Sequence, residues 1–476
     1  MRGEAGTLTV EIVAGSVGAA MSALDELALA LGDGLVTDRD VIEGYRHDQA
    51  IWATGGWPRA VARPSSTAEV QALARWATRH RVALVPRGAG TGVAGGATAG
   101  DGCVVVSFER MNRIVAIDEA AMLAVVQPGV LNGDLKAAVR ERGLWYPPDP
   151  SSYAVSTIGG NVATNAGGLC CVKYGVTADY VLGLEAVLAD GTVVRTGGRS
   201  RKDVAGYDLT RLLVGSEGTL AMITEVTLRL RRRPPPSTTL VATFASLEAS
   251  GRAVAAIVRS VDASLLEIMD RTSLRAVEAH ARLELDTEAA AMLIAQSDAP
   301  GSAELTRMQE ACEEAGATMV AATEDEGEGQ MLLTARRLAL TALQRLGTVL
   351  VDDVAVPLPL LPEMFRRIEA IVAASETMVG TVAHAGDGNL HPLVVFDRAD
   401  AAAEARAVAA FEAVMAQALE LGGTITGEHG VGTLKRGFLA RQLGAASLEL
   451  HHRIKDAFDP AGLLNPGKVV APPGKR

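Results

Sequence analysis

The chain has 476 residues with 45 basic and 56 acidic side chains, a formal charge of −11, which argues against nucleic-acid binding through a basic footprint. Nearly half of the residues (48%) are hydrophobic, enough to core two or three domains, and that excludes extended disorder. Fifty glycines beside only 4% aromatic residues mean that something in this chain needs bare backbone.

No run approaches the roughly 18 uninterrupted apolar residues of a membrane helix. The best secretory candidate, residues 12–24, is bordered by Glu4, Glu11 and Asp25 and has no basic n-region beyond Arg2. A cytoplasmic protein, at most peripheral at a membrane, is expected. Further on, Ser66-Thr67-Ala68-Glu69 has the form of a capping box and opens an apolar helical period (Val70, Leu73, Ala74, Ala77) ending at Arg81. A strand over 82–85 runs into Pro86–Gly102, where seven of seventeen residues are glycine. Strands are predicted at 103–108 and 123–127, and a helix at 131–142.

Glycine admits positive φ and removes the Cβ, so successive amides of the 86–102 loop can converge on an anion such as a pyrophosphate. One such loop is weak evidence, and no Gly-Lys-Ser/Thr follows to make a Walker loop. Two further runs accompany it. The first joins Tyr146-Pro147-Pro148-Asp149-Pro150-Ser151-Ser152 to Thr157-Ile158-Gly159-Gly160-Asn161-Val162-Ala163-Thr164-Asn165-Ala166-Gly167-Gly168. The other holds Lys173-Tyr174-Gly175, Gly206-Tyr207-Asp208 and Gly215-Ser216-Glu217-Gly218-Thr219-Leu220. The glycine excess is thereby expected to serve a cofactor at 86–102, 159–168 and 206–218.

The stretches 85–96, 148–168 and 215–220, with the C-terminal Asn465-Pro466-Gly467-Lys468, resemble the FAD-binding domain of the vanillyl-alcohol oxidase superfamily, in the branch of glycolate oxidase, D-lactate dehydrogenase and D-2-hydroxyglutarate dehydrogenase. The resemblance spans roughly residues 40–470. It implies an α+β fold: a two-subdomain FAD-binding domain of the PCMH type (30–233), a substrate or cap domain with an antiparallel sheet (238–420), and a segment (421–476) returning to the FAD domain. It also implies FAD contacts from Pro86, Arg87, Gly88, Ala89, Gly90, Thr91, Gly92, Gly95, Pro150, Ser151, Thr157, Gly159, Gly160, Asn161, Ala163, Thr164, Asn165, Gly167, Gly218, Ile223 and Asn465. Some relatives attach FAD through a histidine where this chain has Thr91, so the flavin is expected to be noncovalent.

The domain junction is read at Arg231-Arg232-Arg233-Pro234-Pro235-Pro236-Ser237, where prolines without amide donors forbid helix and central strand. Beyond it a strand (239–244), a helix (249–261), a second strand (264–269) and a long alanine-rich helix (401–421) are expected. Two motifs stand out, His384-Ala385-Gly386-Asp387-Gly388-Asn389-Leu390-His391-Pro392 and Thr424-Ile425-Thr426-Gly427-Glu428-His429-Gly430. Two imidazoles and a carboxylate suit a divalent metal with open positions, although turn residues satisfied by backbone carbonyls would look the same. The resemblance implies that His384, His391 and Glu428 bind the metal, zinc by preference, and that His429 is the catalytic base. It places the substrate carboxylate on Arg336, with Lys435 nearby, and leaves Arg337 to a solvated helix face.

Where hydroxyglutarate dehydrogenases carry polar or basic side chains for a second carboxylate, this chain has Leu340, Val351 and Leu393. An unpaired carboxylate buried there would be strongly disfavoured, so the expected substrate is a monocarboxylic D-2-hydroxy acid of the lactate or glycolate type. A D-2-hydroxyglutarate dehydrogenase and, more remotely, a zinc hydrolase are the competing readings; the latter leaves the glycine loops without a purpose. Cys103, Cys170, Cys171 and Cys312 form no Cys-x-x-Cys pair. The electron acceptor is therefore expected to be a separate molecule: a quinone, an electron-transfer flavoprotein, a cytochrome or a partner subunit. A homodimer is left open.

Overall fold

The computed structural model describes residues 22–50 and 52–471, so most of the 12–24 segment lies outside the described residues. Three main sheets organise it. The first is four-stranded, with Ala60–Ala62, Val104–Ser107 and Leu84–Arg87 running parallel and Leu35–Val36 added antiparallel. Its strands are buried almost continuously, as a sheet covered on both faces requires. The helices Ala23–Leu31 and Thr67–His80 bury Leu27, Leu31, Val70, Leu73 and Ala77 against one face. Ser66 caps the second helix by accepting from the Glu69 amide, but the Glu69 carboxylate turns to the amide and hydroxyl of Ser65, so the reciprocal arm of the expected box lands one residue early.

The second sheet is five-stranded and antiparallel, in the order Ile114–Asp118, Leu123–Val126, Met222–Arg229, Val181–Val187, Val193–Gly197. Two helices, Asn132–Arg140 and Ile158–Thr164, pack on it through Leu135, Val139, Ile158 and Val162. At the proline-rich junction, Arg231–Arg232 first pairs with Leu144–Trp145, and no regular structure follows until Thr238.

The third sheet has eight antiparallel strands. Its main path runs Ala317–Thr323, Thr238–Phe244, Ala291–Ser297, Leu265–Asp270, Met378–His384, Asn389–Phe396, Thr348–Val351, with Val354–Ala355 on the Asn389–Phe396 strand. Side chains alternate across it. Leu266, Ile268, Ala383, Leu390 and Val394 face the helices Leu247–Ser260, Leu361–Ser375 and Ala401–Glu420. Leu265, Met269, Val382, Leu393 and Val395 face the opposite side, with Arg271–Ala281 and Glu326–Gln344. By the same parity Glu267, His384 and His391 lie on that second side. The α+β class with mixed helices and antiparallel sheets is as expected.

The C-terminal residues close the first two sheets together. Leu464 bridges to Leu84 in parallel, with the Leu84 amide donating to Leu463 O (2.8 Å) and the Asn465 amide to Leu84 O (2.7 Å). Asp459, fully buried, fixes this turn by accepting from the Leu463 and Leu464 amides and from Lys455 Nζ. Asp459→Ala strands the buried Lys455 ammonium and frees the turn beside the first glycine loop. An unfolding titration should register a loss of about 3–5 kcal/mol, with weaker retention of the bound flavin.

Candidate active site

One cavity of about 510 Å³ lies between the glycine loops and the second side of the eight-stranded sheet. Its walls on one side are residues 86–94, 150–152, 159–161 and 217–218; on the other they are Arg336, Arg337, Leu340, His391, Leu393, Glu428 and His429. Of the residues expected at FAD, all line it except Gly95, Asn165 and Asn465. Asn165 instead ends the Ile158–Thr164 helix at φ 53° and accepts from the Ala178 amide. Asn465 is a brace, donating to Gly96 O (2.9 Å) and Glu217 O (2.7 Å). The exposed Gly206-Tyr207 stretch is also absent from the lining, so of 206–218 only Glu217 and Gly218 reach the cavity.

Two glycines show why bare backbone is required. Thr157 caps its helix by accepting from the Gly160 amide, and a Cβ on Gly88 would collide with Thr157 Oγ1. A Cβ on Gly167 would collide with Glu428 Oε2, which sets the second glycine loop directly against the carboxylate of the histidine constellation. The loop carrying Glu428 is also held from the flavin side. Glu217, buried, accepts from the amides of Val431 (2.7 Å) and Gly432 (2.8 Å), and burial pushes its carboxyl up to about 7.

The constellation converges on one atom. Glu428 Oε1 lies 3.2 Å from His384 Nε2, 3.4 Å from His391 Nε2 and 3.7 Å from His429 Nε2. The rings of His391 and His429 stack at 4.9 Å. On its other side His384 Nδ1 meets Glu267 Oε1 at 2.6 Å. Burial alone would suppress its charge, yet Glu267 and Glu428 hold the His384 imidazole well above its ordinary range. A histidine wedged between two carboxylates needs a cation at its second nitrogen, a proton or a metal ion.

Two sets of donors among the described residues are tight enough for an ion, Asp353/His391/His429 and His384/His391/Glu428. The first is spent: Asp353 Oδ2 already accepts from Thr426 Oγ1 and the amides of Gly427, Glu428 and His429, and Oδ1 from Asn389 Nδ2. The second keeps free lone pairs and fits a divalent ion.

Arg336 is buried in the wall with Nη2 unpartnered, as an anion clamp awaiting its anion would be. Arg337, expected on a solvated face, lines the cavity beside it. Lys435 is not brought to the cavity: its Nζ donates to Asp353 O (2.9 Å) and Ile425 O (2.8 Å) and lies 3.4 Å from Asp352, so it supports the loop from behind. Sequence reasoning missed Glu267 and assigned Asp353 no part. The available signal was a lone carboxylate within an apolar strand, Leu265-Leu266-Glu267-Ile268-Met269, since a charge buried there needs a partner.

The comparisons with known proteins agree. The FAD binding domain matches residues 58–197, and the C-terminal domain of FAD linked oxidases matches residues 233–469. The chain is 43% identical to the glycolate oxidase subunit GlcD of Bacillus subtilis over 87% of its length and 89% of that protein's. It is 35% identical to a mitochondrial D-lactate dehydrogenase (cytochrome) of Arabidopsis thaliana over 94% and 80%. Its fold is that of p-cresol methylhydroxylase (TM-score 0.80, 18% identity, 94% and 96% covered) and of 4-ethylphenol oxidase from Gulosibacter chungangensis (0.77, 20%, 95% and 98%). The family matches and these relatives define an FAD-linked oxidoreductase. The chain belongs to the FAD-linked oxidase family that includes GlcD of glycolate oxidase and the D-lactate dehydrogenases.

The Gly88 contact is testable. Gly88→Val should give a protein that unfolds near the parent temperature but purifies with less than about a tenth of the parent flavin absorbance, since a collision of this kind costs about 1–3 kcal/mol or more in an otherwise packed site.

Proposed function

We propose that the protein oxidises a monocarboxylic D-2-hydroxy acid of the lactate or glycolate type to its 2-oxo acid, with noncovalent FAD and a divalent metal, preferably zinc. One observation carries this reading: Arg336, His391, Glu428 and His429 share a single cavity with the glycine loops. In this reading residues 30–233 hold the cofactor, 238–420 supply the clamp and two histidines, and 421–476 bring Glu428 and His429 back to the flavin side.

Arg336 fixes the substrate carboxylate through its unpartnered Nη2, leaving the Cα–H and hydroxyl between the flavin loops and the histidines. His429 Nε2 takes the hydroxyl proton. Its Nδ1 faces Asp353 Oδ2 at 3.8 Å, which leaves that carboxylate to favour the charged ring electrostatically. FAD supplies the two-electron acceptor for the Cα hydride. An ion held by His384, His391 and Glu428 would acidify the hydroxyl. Leu340, Val351 and Leu393 all line the cavity with Val349 and Val382, an apolar enclosure suited to a small alkyl group. A separate acceptor, a quinone, an electron-transfer flavoprotein, a cytochrome or a partner subunit, would then be needed to take up the two electrons. No helix among the described residues is long and apolar enough to cross a membrane.

Mixing the oxidised holoenzyme anaerobically with D-lactate or glycolate should bleach the flavin; no bleaching with either, zinc supplied, would overturn the reading. The ratio of kcat/KM for D-2-hydroxyglutarate over D-lactate should lie below one and rise at least about tenfold in Leu393→Arg, the scale of one charge-assisted pair. His429→Asn should lower kcat by about 10²–10⁴ with FAD retained. Burial holds the His429 imidazole down to about 4 against the opposing pull of Asp353. The ring is then neutral at physiological pH, and kcat/KM should fall on the acid side only as pH drops toward about 4, well below the ordinary value of about 6.5.

A further inference from the structure

Glu267 has no exposed side-chain surface, and it sits at the centre of its strand with apolar neighbours on both sides. A carboxylate so placed persists only if its surroundings compensate the charge. Both oxygens find cationic partners of different kinds. Oε1 meets His384 Nδ1 at 2.6 Å, and Oε2 lies 2.8 Å from Arg336 Nε, within ion-pair distance though not aligned for a hydrogen bond. The placement follows from register: Glu267 and His384 are direct partners across the Leu265–Asp270 and Met378–His384 strands, while Arg336 descends onto the same sheet face from the helix Glu326–Gln344.

Each contact does a definite job. An ionised carboxylate only accepts, so at His384 it selects the tautomer with hydrogen on Nδ1 and presents the Nε2 lone pair toward Glu428 and His391. At Arg336 it holds one edge of the guanidinium and leaves Nη2, buried and unpartnered, for an incoming anion. Because one rigid side chain carries both, neither partner can shift without the other.

We infer that Glu267 is a positioning residue that ties the carboxylate clamp to the metal-binding histidine, so that the 2-hydroxy acid and the metal are bound cooperatively. It touches neither ligand and acts through Arg336 and His384. This rests on the proposed function above, and it adds a thermodynamic requirement: whatever factor the acid contributes to metal affinity, the metal contributes to acid affinity.

The test uses FAD-loaded protein stripped of metal, zinc titrated against a chromophoric chelator with and without pyruvate, and pyruvate titrated through its perturbation of the flavin spectrum with and without zinc. In the parent protein pyruvate should tighten zinc and zinc should tighten pyruvate by the same factor. In Glu267→Gln zinc affinity should fall about 10–100-fold, pyruvate affinity roughly tenfold or more, and the factor of mutual enhancement should shrink to what direct contact of ion and acid supplies, with flavin content unchanged. A general loss of stability would lower the melting temperature without reducing that factor. If Glu267→Gln fails to hold FAD, Glu267→Asp replaces it: the charge stays but is too short to span both partners, so at least one affinity must fall about tenfold. Both dissociation constants within twofold of the parent, or an undiminished factor of mutual enhancement, overturn the inference. A parent protein that binds no zinc overturns the metal assignment instead, and the pyruvate titration then still decides whether Glu267 positions Arg336.

Discussion

The arrangement of the active site depends on one buried carboxylate that never faces the cavity. Asp353 Oδ2 accepts from three consecutive amides, those of Gly427, Glu428 and His429, and from the Thr426 hydroxyl. Three amides can converge on one oxygen only where the backbone curls tightly, and that curl turns the adjacent Glu428 and His429 toward the cavity. His429, Lys435 and His391 hold the Asp353 carboxyl far below the usual range against the opposing effect of burial, so the anchor stays charged and keeps its donors. Lys435, set between Asp353 O and Ile425 O, closes the curl from behind.

A second layer of constraint comes from the cofactor side. Glu217 grips Val431 and Gly432 just after the histidine, and Asn465 grips Gly96 and Glu217. The loop bearing the proposed base is thus clamped between a carboxylate from the flavin-binding half and one from the eight-stranded sheet. Its position relative to the glycine loops is set by short contacts at each end.

Much of this was legible in the sequence. Glycines without a Cβ announce close approach whatever the tertiary context, and helices announce themselves too, 67–80 through its cap and apolar period and 401–420 through its alanine content. The histidines stood out because they are few. Asp353 and Glu217 did not, for they are two of 56 acidic residues and find their partners only through chain return; Glu267 signalled that it needed a partner, and strand register supplies which one. Arg336 and Arg337 show the same limit: adjacent in sequence, both reach the cavity, because a helix laid across a sheet can offer two neighbouring positions to a groove as wide as this one. Lys435 erred the opposite way. Its motif lies beside the site, yet a lysine stem is long enough to turn its ammonium into the supporting backbone.

The strand closure at Leu84 by Leu463–Asn465 joins residues about 380 positions apart in a chain of 476. Loop closure on that scale is slow and comes late, because its entropy is lost before any contact rewards it. During synthesis every strand of the eight-stranded sheet has emerged by Phe396, whereas the first glycine loop, already held by Asp48 and Gln49, gains its Asn465 and Lys468 contacts only when residues 459–468 have left the ribosome. The walls of the cavity beside the first glycine loop therefore lack part of their support until the last residues have been made.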